Sequence, residues 1–246
     1  MRTRLQRCTQ SFGESKITTF FCDFDGTITL QDTVDALLER FASKEWLEAE
    51  KLWKEGKISS KECLDIQMSL VNITNDQLED FLSNVHIDKS FIKFLDYVKS
   101  NFNAKVYILS DGFRLFIRKI LKDHLEKIDG IYANNLYFIN KKFKTLYRYS
   151  QKDCQLGVCK CHLVQKLKDD KAIYIGDGMS DFCASKNADF VFAKGKLLNF
   201  LKAQNVSHFT SFSYFEDIIN QLPFVLENLH EERGNTIDRT RSLLLG

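Results

Sequence analysis

The sequence has no run of eighteen or more apolar residues, so we predict no membrane-spanning helix. It also has little net charge: 35 basic and 33 acidic residues give +2, and the lysines and arginines are scattered beside acids. This pattern gives no case for a nucleic-acid surface. Proline is nearly absent, and the single one, Pro223, is predicted to kink or divide the last helix.

The cysteines show little sign of a disulfide framework. There are seven, an odd number, in a 246-residue chain long enough to fold on its apolar core alone. Cys22 and Cys183 lie in apolar or helical surroundings, where a thiol packs as a small apolar group, so we expect reduced thiols and a cytoplasmic protein. Residues 1–16 are rich in arginine, but Glu14 and the lack of an apolar face favour a flexible extension over an organellar targeting peptide.

The stretch that organises the chain is Phe20-Phe21-Cys22-Asp23-Phe24-Asp25-Gly26-Thr27. Residues 17–22 are rich in β-branched and aromatic residues, which predicts a buried strand with two acids at its end. Asp23 and Asp25 point the same way because side chains alternate along a strand. Two like charges on one face favour a bound hard cation such as Mg²⁺, and a carboxylate there can also attack phosphorus. The alternative is a solvated Asp-Gly turn.

Residues 32–99 contain almost only helix signals and are predicted to form an inserted helical lobe. Asp32 is placed to cap a helix, and Ser59 with Glu62 and Thr74 with Gln77 match capping boxes. The aromatic and apolar residues of this segment recur at helical spacing, which favours packing over a ligand pocket.

A second strand, residues 105–109, ends in Ser110-Asp111-Gly112. A small hydroxyl at a strand end suits a phosphate oxygen, although Ser110 or Asp111 could equally cap the following helix. Residues 131–149 alternate aromatic and polar residues, which predicts a β-hairpin or paired edge strands.

A cysteine-rich patch follows, with Cys154, Cys159, Cys161 and His162 close together. These residues could bind zinc, but their spacing is not the paired Cys-x-x-Cys of a zinc ribbon, and packed thiols are the alternative. Lys160 lies inside the patch at the start of a predicted helix, where its ammonium could face a phosphate.

A later strand, residues 172–175, runs into Gly176-Asp177-Gly178-Met179-Ser180-Asp181. Asp177 repeats the pattern of a buried strand that ends in an acid. Ser180 can cap the short helix that follows, and Asp181 in its first turn is favoured by the helix dipole.

Strands that alternate with helices predict an α/β fold with a doubly wound, mostly parallel, Rossmann-like sheet. Ligands bind beyond the carboxyl ends of such strands, where the polar residues of these loops would meet. We assign residues 17–31 and 100–230 to this core, 32–99 to the inserted cap, and 231–246 to a mobile polar tail.

The motifs Asp-x-Asp-Gly-Thr, Ser, Lys and Gly-Asp-x-x-x-Asp, in this order, resemble those of phosphatases of the haloacid dehalogenase superfamily. The resemblance implies that Asp23 is a nucleophile forming an aspartyl phosphate and that Asp25 is the general acid and base. It places Mg²⁺ on Asp23, the carbonyl of Asp25, and Asp177, with Asp181 ligating through water or orienting its neighbour. Lys160, Ser110 and the backbone near Gly112 would hold the phosphoryl group.

The helical insertion resembles the cap of the phosphoserine phosphatase-like branch. Within that branch the Cys-Lys sequence is similar to the methionine-salvage 2-hydroxy-3-keto-5-methylthiopentenyl-1-phosphate phosphatases and to phosphocholine/phosphoethanolamine phosphatases. Asp32 lies at the position where phosphoserine phosphatases have an acidic cap residue that binds the substrate amine. It is therefore the expected substrate contact.

The expected partner is therefore a small phosphorylated metabolite; the sequence leaves its identity and the oligomeric state open. The two alternatives are a zinc-stabilised interaction module around residues 154–162 and a catalytically inert relative that only binds.

Overall fold

The computed structural model describes residues 16–139 and 142–243, with side chains described up to residue 229. The predicted N-terminal extension lies outside these residues apart from Lys16, and so do the tip of the predicted hairpin, residues 140–141, and residues 244–246 of the predicted tail. No helix in the described part of the chain is long and apolar enough to cross a membrane.

Seven strands form one sheet within the described ranges, in the order β4-β3-β2-β1-β5-β6-β7. All neighbouring strands are parallel except β3 and β4, which form an antiparallel pair where the hairpin was predicted. The strands are β1 (Thr18–Cys22), β2 (Ala104–Phe113), β3 (Gly130–Ile139), β4 (Lys142–Leu146), β5 (Lys171–Gly176), β6 (Phe190–Ala193) and β7 (Phe209–Ser211).

The predicted α/β class is confirmed, with helices connecting the strands. The α-helices are α1 (Thr33–Phe41), α2 (Trp46–Lys54), α3 (Ser60–Ser69), α4 (Asn75–Ser83), α5 (Ser90–Asn101), α6 (Arg114–Ile120), α7 (Lys160–Leu167), α8 (Phe182–Ser185), α9 (Gly195–Ala203) and α10 (Phe215–Leu243). Two short 3-10 helices span Lys122–Lys127 and Met179–Asp181.

Helices α1 to α4 form a lobe between β1 and the rest of the core. Asp32 caps α1 as predicted, and the Ser59–Glu62 and Thr74–Gln77 pairs both form complete capping boxes. Residues 28–30 and 86–88 connect the lobe to the core side by side, joined by backbone hydrogen bonds such as that from the Leu30 N–H to the His86 carbonyl, 3.0 Å.

Helix α5 packs with the core, although the sequence analysis places it in the lobe. Its apolar side chains belong to the cluster that contains Phe20 of β1 and Phe215 of α10. The lobe has a separate apolar cluster, which includes Leu37 and Phe81 and continues onto Leu136 of the β3–β4 hairpin. The structural lobe therefore ends near α4, and α5 forms a layer over the sheet.

The last helix differs from its predicted form. It runs through Pro223 to Leu243, so residues 231–243 of the predicted tail have a helical backbone. Just before this helix begins, the N–H groups of Ser213 and Tyr214 donate to the Asp217 carboxylate at 2.8 and 3.0 Å.

The core assignment of α5 predicts that truncating its buried face destabilises the whole fold. Phe94 is fully buried, and its ring centroid lies 5.4 Å from that of Phe20 and 5.2 Å from that of Phe215. We expect Phe94→Ala to lower the free energy of unfolding in urea by about 3–5 kcal/mol. The matched variant Phe224→Ala, at a side chain that is 72% exposed, should change it by less than about 0.5 kcal/mol. Equal effects would contradict the assignment.

Candidate active site

The carboxyl ends of β2, β1 and β5 lie side by side and carry the acidic motifs. In the sheet register Cys22 pairs with Ile108 on one side and with Ile175 on the other, so the residues that follow these three strands meet at one edge. The Asp23 N–H donates to the Ile175 carbonyl at 2.8 Å, which continues this pairing into the site. The predicted convergence of the strand ends is present.

Lys160 is the buried cation of the site. Its ammonium donates to Asp23 Oδ1 at 2.6 Å, to Asp181 Oδ1 at 2.7 Å and to Ser180 Oγ at 2.9 Å, and its side chain is 1% exposed. Burial opposes the charged form, but the Asp181 and Asp23 carboxylates outweigh it and hold the pKa of Lys160 above its ordinary value. The ammonium is therefore charged at neutral pH.

Asp181 is fully buried and every contact it makes is internal. Oδ1 accepts from Lys160 and from the Tyr174 hydroxyl at 2.7 Å, while Oδ2 accepts the N–H groups of Asp177 at 3.1 Å and Gly178 at 2.9 Å. Both of its oxygens are thus committed to fixing Lys160 and the Asp177 loop. The predicted capping role of Ser180 is wrong, because its hydroxyl accepts from Lys160 instead.

Asp177 is oriented by the turn that follows β1. Thr27 Oγ1 donates to Asp177 Oδ1 at 2.6 Å. Gly26 lies between the two loops in the left-handed region, at φ +75°, and a Cβ there would be 2.8 Å from Asp177 Oδ2. Only glycine suits both the conformation and the close approach.

Asp25 lies on the other side of the same cavity. Oδ1 accepts from the Thr33 N–H at 3.0 Å and from the Thr33 hydroxyl, and Oδ2 accepts from Ser110 Oγ at 3.2 Å. Burial and the Asp32 carboxylate raise the pKa of Asp25 to about 7, against the opposing effect of these hydrogen bonds. A carboxyl group with this pKa can both hold and accept a proton near neutral pH.

Ser110 and Gly112 pack against Asp25 at the end of β2. Ser110 is fully buried, and its hydroxyl accepts the Gly112 N–H at 2.9 Å while it donates to Asp25. A Cβ at position 112 would collide with Asp25 Oδ2, so the glycine leaves room for that carboxylate.

The acidic residues form a group suited to a metal ion. Carboxylate oxygens of Asp23, Asp177 and Asp181 all lie within 4.8 Å of one another, the one such group of acidic, thiol or imidazole ligands among the described residues. The donors are all hard oxygens, which fits Mg²⁺. The hydrogen bonds to Asp23 and Asp177 from described side chains use one carboxylate oxygen of each.

The cysteine-rich patch does not form a comparable group of metal ligands among the described residues, which argues against the zinc alternative. Cys159 and Cys161 lie with their sulfurs 3.5 Å apart, but His162 is exposed, and the four side chains do not gather as metal ligands in the described part of the chain. Each described cysteine is a free thiol.

A cavity of about 610 Å³ separates the strand ends from the lobe. Asp32 lines it while Oδ1 caps α1 by accepting the N–H groups of Val34 and Asp35 at 2.9 and 3.0 Å. On the lobe side the lining also includes Asp35, Glu50, Trp53, Lys54 and Gln67. Lys54 pairs with Glu50 at 2.8 Å, so this side has an excess of carboxylates.

Asp111 lines the same cavity, although its sequence context predicts only a possible helix cap. Its carboxylate accepts from the Ser60 hydroxyl of the lobe and from the Val158 N–H at 2.8 Å. The Ser60 N–H also donates to the Gln155 carbonyl at 3.0 Å. Asp111 therefore ties the lobe and the loop before Lys160 to β2, through contacts that no local pattern signals.

The chain is similar in sequence to known proteins over most of its length. A family model for haloacid dehalogenase-like hydrolases matches residues 20–186. A 2-hydroxy-3-keto-5-methylthiopentenyl-1-phosphate phosphatase of Bacillus cereus is 32% identical over 214 residues, covering 84% of this chain and 96% of that protein. A protein of the same name from Bacillus thuringiensis is 32% identical over 216 residues, with the same coverage.

Solved structures share the fold at lower identity. A phospho-aspartyl intermediate analogue of phosphoserine phosphatase matches with a TM-score of 0.64 and 19% identity, over 86% of this chain and 99% of that one. A substrate-bound phosphoserine phosphatase complex matches with a TM-score of 0.64 and 18% identity, over 85% of this chain and 98% of that one.

The contacts of Lys160 predict a large loss of stability when its charge is removed. In Lys160→Met the Asp23 and Asp181 carboxylates remain buried without their cation, which should lower the free energy of unfolding by about 3–5 kcal/mol in metal-free buffer. Urea denaturation measures this loss. Lys166→Met, at an exposed position on the same helix, is the control. If both variants are as stable as the parent protein, the ion pairs do not have this structural role.

Proposed function

The chain belongs to the haloacid dehalogenase-like hydrolase family, and we propose that it is a Mg²⁺-dependent phosphatase that cleaves a small phosphomonoester through an aspartyl phosphate on Asp23. The observation that carries this proposal is the contact between Asp23 and the ammonium of Lys160, 2.6 Å, at the end of the central strand β1. A cation at this distance offsets the repulsion between a carboxylate and an incoming phosphate dianion.

In the first step an Asp23 oxygen attacks phosphorus. The new oxygen–phosphorus bond forms as the bond to the leaving alkoxide breaks, and Asp25 gives that alkoxide a proton. In the second step Asp25 takes a proton from water, which attacks the same phosphorus and releases Asp23 and inorganic phosphate. Asp25 is held for both steps by Thr33 and Ser110.

Asp23, Asp177 and the backbone carbonyl of Asp25 would hold Mg²⁺, and Asp181 orients the loop that carries Asp177. The bound ion would supply positive charge for the phosphoryl oxygens. Lys160 supplies a second, permanent charge from the protein itself, and Ser110 and the Gly112 backbone would contact the phosphate oxygens.

For the substrate we infer a phosphomonoester without a carboxylate. The lobe side of the cavity carries Asp32, Asp35 and Glu50, and its lysine, Lys54, is paired with Glu50. A substrate carboxylate would meet like charges there. The substrate named for the Bacillus relatives, 2-hydroxy-3-keto-5-methylthiopentenyl-1-phosphate, has hydroxyl, keto and thioether groups and is the first candidate.

A second candidate is a cationic phosphomonoester of the phosphocholine or thiamine phosphate type. The excess of carboxylates favours a substrate with a positive charge. Asp32 is the expected contact, because it lines the cavity and its helix cap uses only Oδ1. Trp53 adds an aromatic face to the same wall.

The nucleophile assignment predicts that Asp23→Asn lowers kcat by roughly 10⁴-fold or more, since an amide cannot form the phosphoenzyme. Phosphate release from a phosphomonoester panel with Mg²⁺ measures this, and circular dichroism checks the fold. Asp76→Asn, at an exposed aspartate of α4, is the matched control and should keep full activity.

The proposed metal site predicts that chelation of divalent ions abolishes turnover and that added Mg²⁺ restores it. Undiminished turnover in Asp23→Asn would refute the mechanism.

The cavity charge predicts an order of substrates. We expect kcat/KM for phosphoserine to be at least roughly tenfold below that for the methionine-salvage enol phosphate or for phosphocholine. Two like charges about 4 Å apart repel by roughly 1–4 kcal/mol, and about 1.4 kcal/mol corresponds to a tenfold change in rate. Steady-state kinetics on the three compounds decides the order. A preference for phosphoserine would contradict the inferred substrate class.

A further inference from the structure

The thiols beside Lys160 form a row that the proposed mechanism does not use. The sulfurs of Cys159 and Cys161 lie 3.5 Å apart, on either side of Lys160 in the chain. Cys154 extends the row through its contact with Cys159, and Cys183 extends it through its contact with Cys161.

The pair is placed to form a disulfide. A sulfur–sulfur bond of about 2.05 Å requires the two sulfurs to approach by about 1.5 Å, and it requires Cα atoms about 4.4–6.8 Å apart. Lys160 is the first residue of α7, and a helical residue sets the Cα atoms on either side of it roughly 5.4 Å apart. The backbone of Cys159 is not helical, at φ −77° and ψ 82°, so its side chain can lie beside that of Cys161, although residues two apart within a helix face different sides. Cys159 immediately precedes α7 and Cys161 is its second residue.

Cys161 is the accessible member of the pair. It is partly exposed, whereas Cys159 is 5% exposed. Burial and the neighbouring Cys183 and Cys159 thiols raise the pKa of Cys161 to about 12, so the thiolate is scarce at neutral pH and oxidation should be slow.

We propose that Cys159 and Cys161 are an oxidative modification site, whose disulfide moves Lys160 and inactivates the enzyme. Each thiol loses its S–H bond and one sulfur–sulfur bond forms. The two electrons reduce a peroxide, whose O–O bond breaks, and the two protons leave on its oxygens, as two waters when the oxidant is hydrogen peroxide. The effect on activity rests on the proposed function, but the formation of the disulfide does not.

The disulfide would affect the active site through Lys160, because the ring that it closes contains the backbone of that residue. The Lys160 N–H donates to the Val158 carbonyl at 2.9 Å, and its ammonium is fixed between Asp23 and Asp181 at 2.6 and 2.7 Å. Closing the ring rotates the peptide groups on both sides of Lys160. A displacement of about 1 Å at a catalytic group lowers turnover by roughly 10²-fold.

Tryptic mapping tests the linkage directly, because trypsin cleaves after Lys160, between the two cysteines. The full-length protein is treated with hydrogen peroxide, unreacted thiols are blocked with N-ethylmaleimide in denaturant, and the digest is analysed by mass spectrometry. We expect peptide 153–160 linked to peptide 161–166 through Cys159. The link should survive in Cys183→Ser and in Cys154→Ser, and be absent from Cys161→Ser and Cys161→Ala.

Activity is measured on the same samples. We expect a loss of roughly 10²-fold that tracks the linked peptide and is reversed by dithiothreitol, whereas Cys161→Ser keeps its activity through the treatment. A link between Cys161 and Cys183, no link at all, or a complete Cys159–Cys161 link with unchanged turnover would each overturn the proposal. If the reduced protein hydrolyses no phosphomonoester, the proposed function fails, and the linked peptide still reports on the disulfide.

Discussion

The buried contact of Lys160 with Asp23 and Asp181 is the constraint on which the site depends. Three carboxylates approach within 4.8 Å at the edge of the sheet, two of them buried, and such a group is unfavourable without positive charge. Lys160 supplies one charge from inside the fold at 2.6 and 2.7 Å. The remaining negative charge is what a divalent cation at the proposed Mg²⁺ site would offset.

The fold brings these groups together through the register of three parallel strands. Because Cys22 is level with both Ile108 and Ile175, the loops after β1, β2 and β5 emerge at the same edge. The lobe of α1 to α4 covers that edge and is fastened to it by the Ser60–Asp111 hydrogen bond. The proposed reacting groups thus belong to the core, and the groups proposed to select a substrate belong to the lobe.

Much of this arrangement could be predicted from local patterns. Strand-end acids, capping boxes and the lysine at the start of α7 all carry short-range signals, and the α/β class followed from the alternation of strands and helices. What could not be predicted depends on tertiary packing. The helical period of α5 shows which face is buried but not whether the core or the lobe buries it. The contact of Ser180 with Lys160 joins the 3-10 helix after β5 to the start of α7, 20 residues apart in the chain. The short strand β7 has too few residues to show a pattern.

The central claim is that Asp23 carries the phosphoryl group during turnover. Quenching the reaction in acid with a ³²P-labelled phosphomonoester and reducing it with borohydride converts an aspartyl phosphate into homoserine, which peptide sequencing can locate. The account predicts homoserine at position 23 and none at Asp25, Asp177 or Asp181. Homoserine at another position, or rapid hydrolysis with no acid-stable ³²P on the protein before reduction, would contradict it.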